Sequence, residues 1–162
     1  MIKRKASWLL LLPIAALVLV LDQLSKAWVL RHIPLGESWA PIPSLARIFT
    51  FRHVTNTGAA FGLFPNGGTI FLAIAVVVIV AIIVYTRYLS VERWPVLLSL
   101  GLQLGGAMGN LVDRLRFGHV VDFLDFSFWP TFNVADSAIV CGVALLAYLV
   151  LTEKETGRQG NE

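Results

Sequence analysis

The sequence predicts an α-helical integral membrane protein, with four transmembrane helices and, on one side, a small extracytoplasmic β-rich cradle and an aromatic loop. Three observations point to it. The chain of 162 residues is 57% hydrophobic and only 14% charged, with a mean hydropathy of +0.75, too little polar surface for a soluble domain of this size. Four apolar segments, about 7–30, 69–86, 94–113 and 133–151, each approach the ~20 residues that cross a hydrocarbon core. The polar residues of the apolar regions gather at span ends that meet on one membrane face. Composition also excludes other classes. A single cysteine, Cys141, rules out a disulfide framework and a cysteine-cluster metal site. The net charge of +3 is spread along the chain, with no basic block suited to nucleic acid. No cofactor is expected.

The chain reads as one membrane domain, 1–162. Its start, "MIKRKASWLLLLPIAALVLVLDQLSKAWVL", has the basic flank and apolar run of a signal peptide. The run continues through Asp22 and Lys26 to Leu30 without a small-x-small cleavage site, so it is a retained first span. Residues 31–68 contain "ARIFTFRHV", with partial alternation among prolines and glycines, which predicts a β-rich segment at the membrane surface. The second span contains the unbroken apolar stretch Ile70–Tyr85, dominated by Val and Ile. In water that pattern suggests a strand. In lipid only helices and closed barrels satisfy the backbone, and four segments cannot close a barrel, so the span is helical.

The third span carries Gly101, Gly105 and Gly109 at four-residue spacing, a stripe on which another helix can approach closely. Ala138 and Gly142 of the last span are candidates for the facing surface. Packing is a better reading of "GGAMGN" than an active-site loop. Residues 113–132, "DRLRFGHVVDFLDFSFWPTF", are expected as an extracytoplasmic loop. Most of its aromatic residues, Phe123, Phe126, Phe128, Trp129 and Phe132, are expected to anchor at the interface.

In an up-down-up-down bundle the ends of odd spans and the starts of even spans share a face. Asp22 and Lys26, "NTGAAFG" (56–62), Asn110, Asp113 and Arg114, and Asn133 and Asp136 therefore converge on one side. The other side holds Lys3, Arg4, Lys5, Arg87, Arg93, Lys154 and Arg158. The compact basic start and the short 87–93 loop favour cytoplasmic termini, which points the polar face outward.

Each polar group has a structural reading. Asn133 suits an N-cap, and Asp136 three positions later completes a capping-box pattern, where the helix dipole suits a carboxylate. Asp22 and Lys26 have the i,i+4 order of a helical ion pair. Asp113 can neutralise Arg114. His32, His53 and His119 lack metal-ligand spacing, and Ser25 beside Lys26 leaves a Ser–Lys arrangement open. Function gains weight from the number of acids on one face: Asp22, Asp113, Asp122, Asp125 and Asp136. Two close carboxyl groups share a proton, and the resulting acid and base can hydrolyse a peptide without metal or nucleophile. By spacing alone, Asp113, Asp122 and Asp125 all compete to face Asp136.

The segments "DQLSK" (22–26), "NTGAAFG" (56–62), "GGAMGNLVDR" (105–114), "GHVVDF" (118–123) and "FNVADS" (132–137) resemble, in order, the motifs of bacterial lipoprotein signal peptidase, signal peptidase II. The resemblance implies a multi-pass aspartic endopeptidase of the bacterial cytoplasmic (inner) membrane. It would remove the signal peptide from a prolipoprotein, cutting before a cysteine that carries a diacylglyceryl group. It makes Asp122 and Asp136 the catalytic dyad, and places Asn56, Gly58, Asn110, Arg114, Asn133 and Ala135 around the substrate. It gives Asp22 and Lys26 a supporting role, lets Val120 and apolar walls receive lipid and signal helix, and implies block by globomycin-type peptides. The rival from another class is a small proton- or ion-coupled transporter, which also needs intramembrane carboxylates. It predicts acids near the midplane or on both sides, and no inverted repeat is evident here.

Overall fold

The computed structural model describes residues 2–58, 68–88 and 93–159. Residues 59–62 of "NTGAAFG" and most of the 87–93 connection lie outside the described residues, as do the side chains of Lys3, Arg4, Lys5, Lys154 and Arg158. The elements in order are α1 (Ile2–His32), β1 (Ser38–Trp39), a 3₁₀ turn at Pro43–Leu45, β2 (Phe49–Asn56), α2 (Gly68–Tyr88), α3 (Trp94–Phe117), β3 (Val120–Phe126), β4 (Trp129–Phe132) and α4 (Val134–Gln159). The four stretches long and apolar enough to cross a membrane are Trp8–His32, Thr69–Arg87, Trp94–Phe117 and Val134–Thr152. Each contains or closely matches an expected span.

α3 is the hub. Of its most apolar window 56% is buried inside the protein, against 11% for α2, and it packs against α1, α4 and α2. Small residues make this possible. A Cβ added at Gly105 would lie 2.6 Å from the Ala15 carbonyl oxygen and 2.7 Å from Val18 Cβ, so α1 sits at backbone distance. The glycine stripe therefore faces α1. The face toward α4 uses Gly106, opposite Ala135 and Ile139, while Gly142 of α4 meets Ser99 and Gln103. Around the first contact Leu11, Ala15, Ile82, Leu97, Leu100 and Leu104 form the bundle core.

The sheet departs from expectation. Residues 113–132 are not a loop. α3 continues to Phe117 and stops at Gly118, whose φ of +76° is costly for any side chain. The chain then enters β3, makes a two-residue turn at 127–128 and returns as β4. The four strands are antiparallel in the order β1-β2-β3-β4, with Val54 opposite Asp122 and Asn56 opposite Val120. The aromatic residues read as anchors are in part sheet residues. Phe126 packs on Phe49 at 4.9 Å and stacks on Phe132 at 6.0 Å. Phe123 is buried with Val29, Ile33 and Val121. Cross-strand aromatic pairing competes with interfacial anchoring for the same residue types, and here the strands won. Phe128 and Trp129 remain exposed, at 77% and 61%. The sheet thus seats on the end of α1 through the Val29–Ile33 cluster, which fixes β3 relative to the bundle.

Replacing Gly105 with leucine should lower the thermal stability of the detergent-purified protein by at least about 1–3 kcal/mol, the usual cost of overpacking. A thermal unfolding midpoint equal to wild type would show that α1 and α3 do not need this approach.

Candidate active site

The polar residues of the span ends do converge. A cavity of about 610 Å³ lies where α3, α4 and the sheet meet, and Asn56, Gly58, Asn110, Arg114, Val120, Asp122 and Asp136 are among its lining residues. Asn133, Ala135, Asp22 and Lys26 are fully or almost fully buried behind it. Ala135, expected around the substrate, instead faces α3 beside Gly109 and contributes its backbone N–H to Asp22. Close helix packing, which demands a small residue there, explains its position.

Asp122 comes from the middle of β3 and Asp136 from the first turn of α4. Asn133 joins them. As N-cap its Oδ1 accepts from the Asp136 N–H at 2.9 Å, its own N–H donates to Asp136 Oδ2 at 3.3 Å, and its Nδ2 donates to Asp122 Oδ1 at 2.7 Å. The capping box expected from sequence is present, and the cap's second function is to hold the carboxyl group on β3.

Two further asparagines work the same way. Asn56 Oδ1 accepts from the Gly58 N–H at 3.0 Å, which leaves its Nδ2 to donate to Asp122 Oδ2 at 2.8 Å. Asn110 Oδ1 accepts from Lys26 Nζ at 3.1 Å, which leaves its Nδ2 to donate to Asp136 Oδ1 at 2.7 Å. In all three, an obligatory donor fixes the amide oxygen and so aims the amide nitrogen at a carboxyl group. Burial, reinforced by the nearby Asp136 charge, pushes Asp122 from its ordinary 3.8 up to about 7, against the bonds from Asn56 and Asn133 and the charge of Lys26.

Behind this layer Lys26 lies 2.8 Å from Asp22 and 2.8 Å from Asp113. Asp113 therefore pairs with Lys26, not with Arg114 as its position in sequence suggested; α1 and α3 are close enough for the longer-range partner. Asp22 Oδ1 accepts from the Ala135 N–H at 3.0 Å and Asp113 Oδ2 from the Val121 N–H at 3.1 Å. Gln23, which sequence reasoning passed over, donates to Asp113 at 2.9 Å and to Asp22 at 3.2 Å. Its place inside "DQLSK" was the available signal. With Lys26 spent on two carboxylates and an amide, and Ser25 Oγ donating to the Asp22 carbonyl at 2.8 Å, no Ser–Lys nucleophile forms.

The remaining candidates separate. Asp125 accepts from Thr131 at 3.1 Å and Thr50 at 3.4 Å on the sheet and does not line the cavity. Arg114 lies over the Phe71 ring, 5.7 Å from its centre, at the cavity wall. Phe71, Ser137, Val140 and Cys141 also line the cavity; Ser137 closes the motif "FNVADS", while nothing in the sequence pointed to Phe71, Val140 or Cys141 as cavity residues. His32 and His53 bond backbone carbonyls, and no group of three or more metal-binding side chains occurs among the described residues.

Residues 14–152 match the family described as signal peptidase (SPase) II. The chain belongs to the signal peptidase II family. It is 47% identical to the lipoprotein signal peptidase of Moorella thermoacetica, over 93% of this chain and 97% of that one. It is 43% identical to the lipoprotein signal peptidase of Halothermothrix orenii, over 89% and 97%. A solved bacterial membrane enzyme structure superposes with a TM-score of 0.83 at 28% identity, covering 94% of this chain and 91% of the other. This is accordingly a multi-pass bacterial membrane protein of an aspartic-type peptidase family, and the transporter reading has no support.

Replacing Lys26 with methionine strands Asp22 and Asp113 without their cation. Thermal unfolding should show a loss of about 3–5 kcal/mol, the cost typical of breaking a buried ion pair on one side. A loss below about 1 kcal/mol, the level of an exposed pair, would mean that water already screens this site.

Proposed function

We propose that Asp122 and Asp136 are the catalytic pair with which this signal peptidase II removes signal peptides from prolipoproteins, cutting before a diacylglyceryl-modified cysteine. One observation carries the reading: the two carboxyl groups line one cavity and are tied to the same residue, Asn133, whose backbone N–H donates to Asp136 and whose side-chain amide donates to Asp122. The relatives named lipoprotein signal peptidase support the substrate.

Asp122, pushed up to about 7, holds the shared proton near neutrality, and Asp136 is the base. Asp136 takes a proton from water as its oxygen attacks the scissile carbonyl, while Asp122 passes its proton to the carbonyl oxygen, giving a neutral gem-diol. As the tetrahedral intermediate collapses, Asp136 returns its proton to the leaving nitrogen and Asp122 recovers its own. Asn56, Asn110 and Asn133 keep the carboxyl groups oriented. Arg114 and the asparagine amides at the cavity offer donors to substrate carbonyls, and Val120, Phe71 and Val140 offer an apolar wall to lipid and signal segment. A globomycin-type peptide would inhibit by filling this cavity. Cytoplasmic termini, favoured by the basic start, would set the site at the outer face of the inner membrane.

Asp122→Asn and Asp136→Asn should each reduce cleavage of a purified lipidated prolipoprotein by more than about 10³-fold, within the range for loss of an acid or base, while inserting and purifying normally. Asp125→Asn should retain clear activity. Wild-type turnover by either of the first two variants overturns the pair, and complete loss with the third transfers the assignment.

The pH profile gives a separate check. Folding raises the Asp122 pKa, so the native state holds the proton more tightly than the unfolded chain, and stability falls as pH rises between 3.8 and about 7. Activity that needs the protonated form should decline as pH rises through about 7. A kcat/KM profile that stays flat well into the alkaline range would contradict the assignment of the proton to Asp122.

A further inference from the structure

The main cavity does not end at the carboxyl pair. Phe71, Asn110 and Arg114 also line a second cavity of about 220 Å³, whose further walls are Ile74 and Val78 of α2, Gln103 and Ala107 of α3, and Ile139 of α4. α2 packs against α3, and Ile74 and Val78 are 49% and 37% exposed on the bundle's outer surface. The groove therefore runs from the candidate active site into the membrane along a lipid-facing helix. Beyond Asn110 and Arg114 its walls are apolar with one exception. Gln103 Nε2 is enclosed and has no hydrogen-bond partner among the described residues. The Gln103 stem packs so closely on Gly142 that a Cβ there would come within 2.8 Å of Gln103 Cγ, which limits where the amide can swing. An unmet amide donor in hydrocarbon is costly, and a ligand that supplies an acceptor recovers that cost.

We propose that this groove holds the apolar signal segment on the N-terminal side of the scissile bond, and that Gln103 is a substrate-binding residue donating to one of that segment's backbone carbonyls. The inference deepens the function proposed above and rests on cleavage occurring at Asp122 and Asp136. Gln103 precedes Asn110 by about two helical turns, on the order of 10 Å. A peptide extended at the scissile bond covers that distance in about three residues. Where the signal helix gives way to that extended stretch, its last carbonyls have no intrahelical partner, and the bilayer core supplies no donor. One buried amide at that depth answers the need. An acyl chain of the lipidated cysteine is the competing occupant, but it has no acceptor below its ester linkages and leaves Gln103 unanswered.

Gln103→Met keeps the shape and removes the donor. Its KM for a full-length lipidated prolipoprotein should rise about 3- to 10-fold, the value of one neutral hydrogen bond, with kcat and the unfolding midpoint close to wild type. KM for a lipidated substrate cut back to two residues before the scissile bond should not change. An unchanged KM on the full-length substrate, or an equal rise on the short one, overturns the proposal. In a second arm, a photocrosslinking residue replaces Ala75 of α2, which also lines the groove, in the Asp136→Asn background, where capture needs no turnover. Crosslinks to the signal segment support the assignment, and crosslinks confined to the diacylglyceryl chains overturn it. Failure of the carboxyl pair would appear instead as cleavage by Asp136→Asn itself.

Discussion

Everything at the site is referred to a buried ammonium group. Lys26 is 2% exposed, and its donors are spent on Asp22, Asp113 and the Asn110 amide oxygen. Each carboxylate of this triad also takes one backbone N–H, and those amides adjoin the two acids of the proposed pair: Val121 before Asp122 and Ala135 before Asp136. The triad thus fixes the register of a strand and the first turn of a helix that approach from different parts of the chain. Buried ion pairs are weak contributors to net stability because desolvation offsets their attraction. Here the benefit is geometric: the backbone beside each acid of the proposed pair is tied to the same cation.

The charge balance around the cavity follows from this arrangement. Asp22, Asp113, Asp122 and Asp136 are four acids, and Lys26 and Arg114 are the cations near them. With all four acids ionised the group would carry two excess negative charges in surroundings shielded from water. A proton on Asp122 halves that excess, in the same direction as its raised pKa, which burial produces first and the Asp136 charge second. Among the described residues the side chains that bond the two acids are asparagines, Asn56 and Asn133 on Asp122 and Asn110 on Asp136. A lysine or arginine in those positions would pin both acids in the charged form, whereas a neutral amide orients a carboxyl group without forbidding its proton.

Much of this was legible in the chain. Long apolar runs gave the spans because lipid leaves the backbone few alternatives, and "NVAD" announced its capping box because that motif is local in sequence. Asp122 was harder. Spacing could not separate it from Asp125, and only the resemblance of "GHVVDF" to a family motif chose it. In the fold the two acids have different partners, Asn56 and Asn133 for one and Thr50 and Thr131 for the other. Those partners lie on other strands or beyond a turn, so no local pattern encodes them. The same limitation hid the Lys26–Asp113 pair, which depends on how closely α1 approaches α3. The strands β3 and β4 were obscured differently: their aromatic density has two physical readings, and cross-strand pairing became visible only with the register.

The link between bundle and sheet is what makes a hydrolytic site compatible with a lipid environment. Asp136 belongs to a helix that must satisfy its backbone internally, and Asp122 belongs to a strand at the bundle's end. Asn133 sits where the sheet passes into the helix, just after β4 and just before α4. A carboxyl pair built wholly within the helices would need water in the hydrocarbon core. A pair built wholly on the sheet would lie away from the apolar groove through which a membrane-held chain can approach. Taking one acid from each layer puts the pair at the boundary, with polar donors around it and a route along α2 and α3 leading into the bilayer.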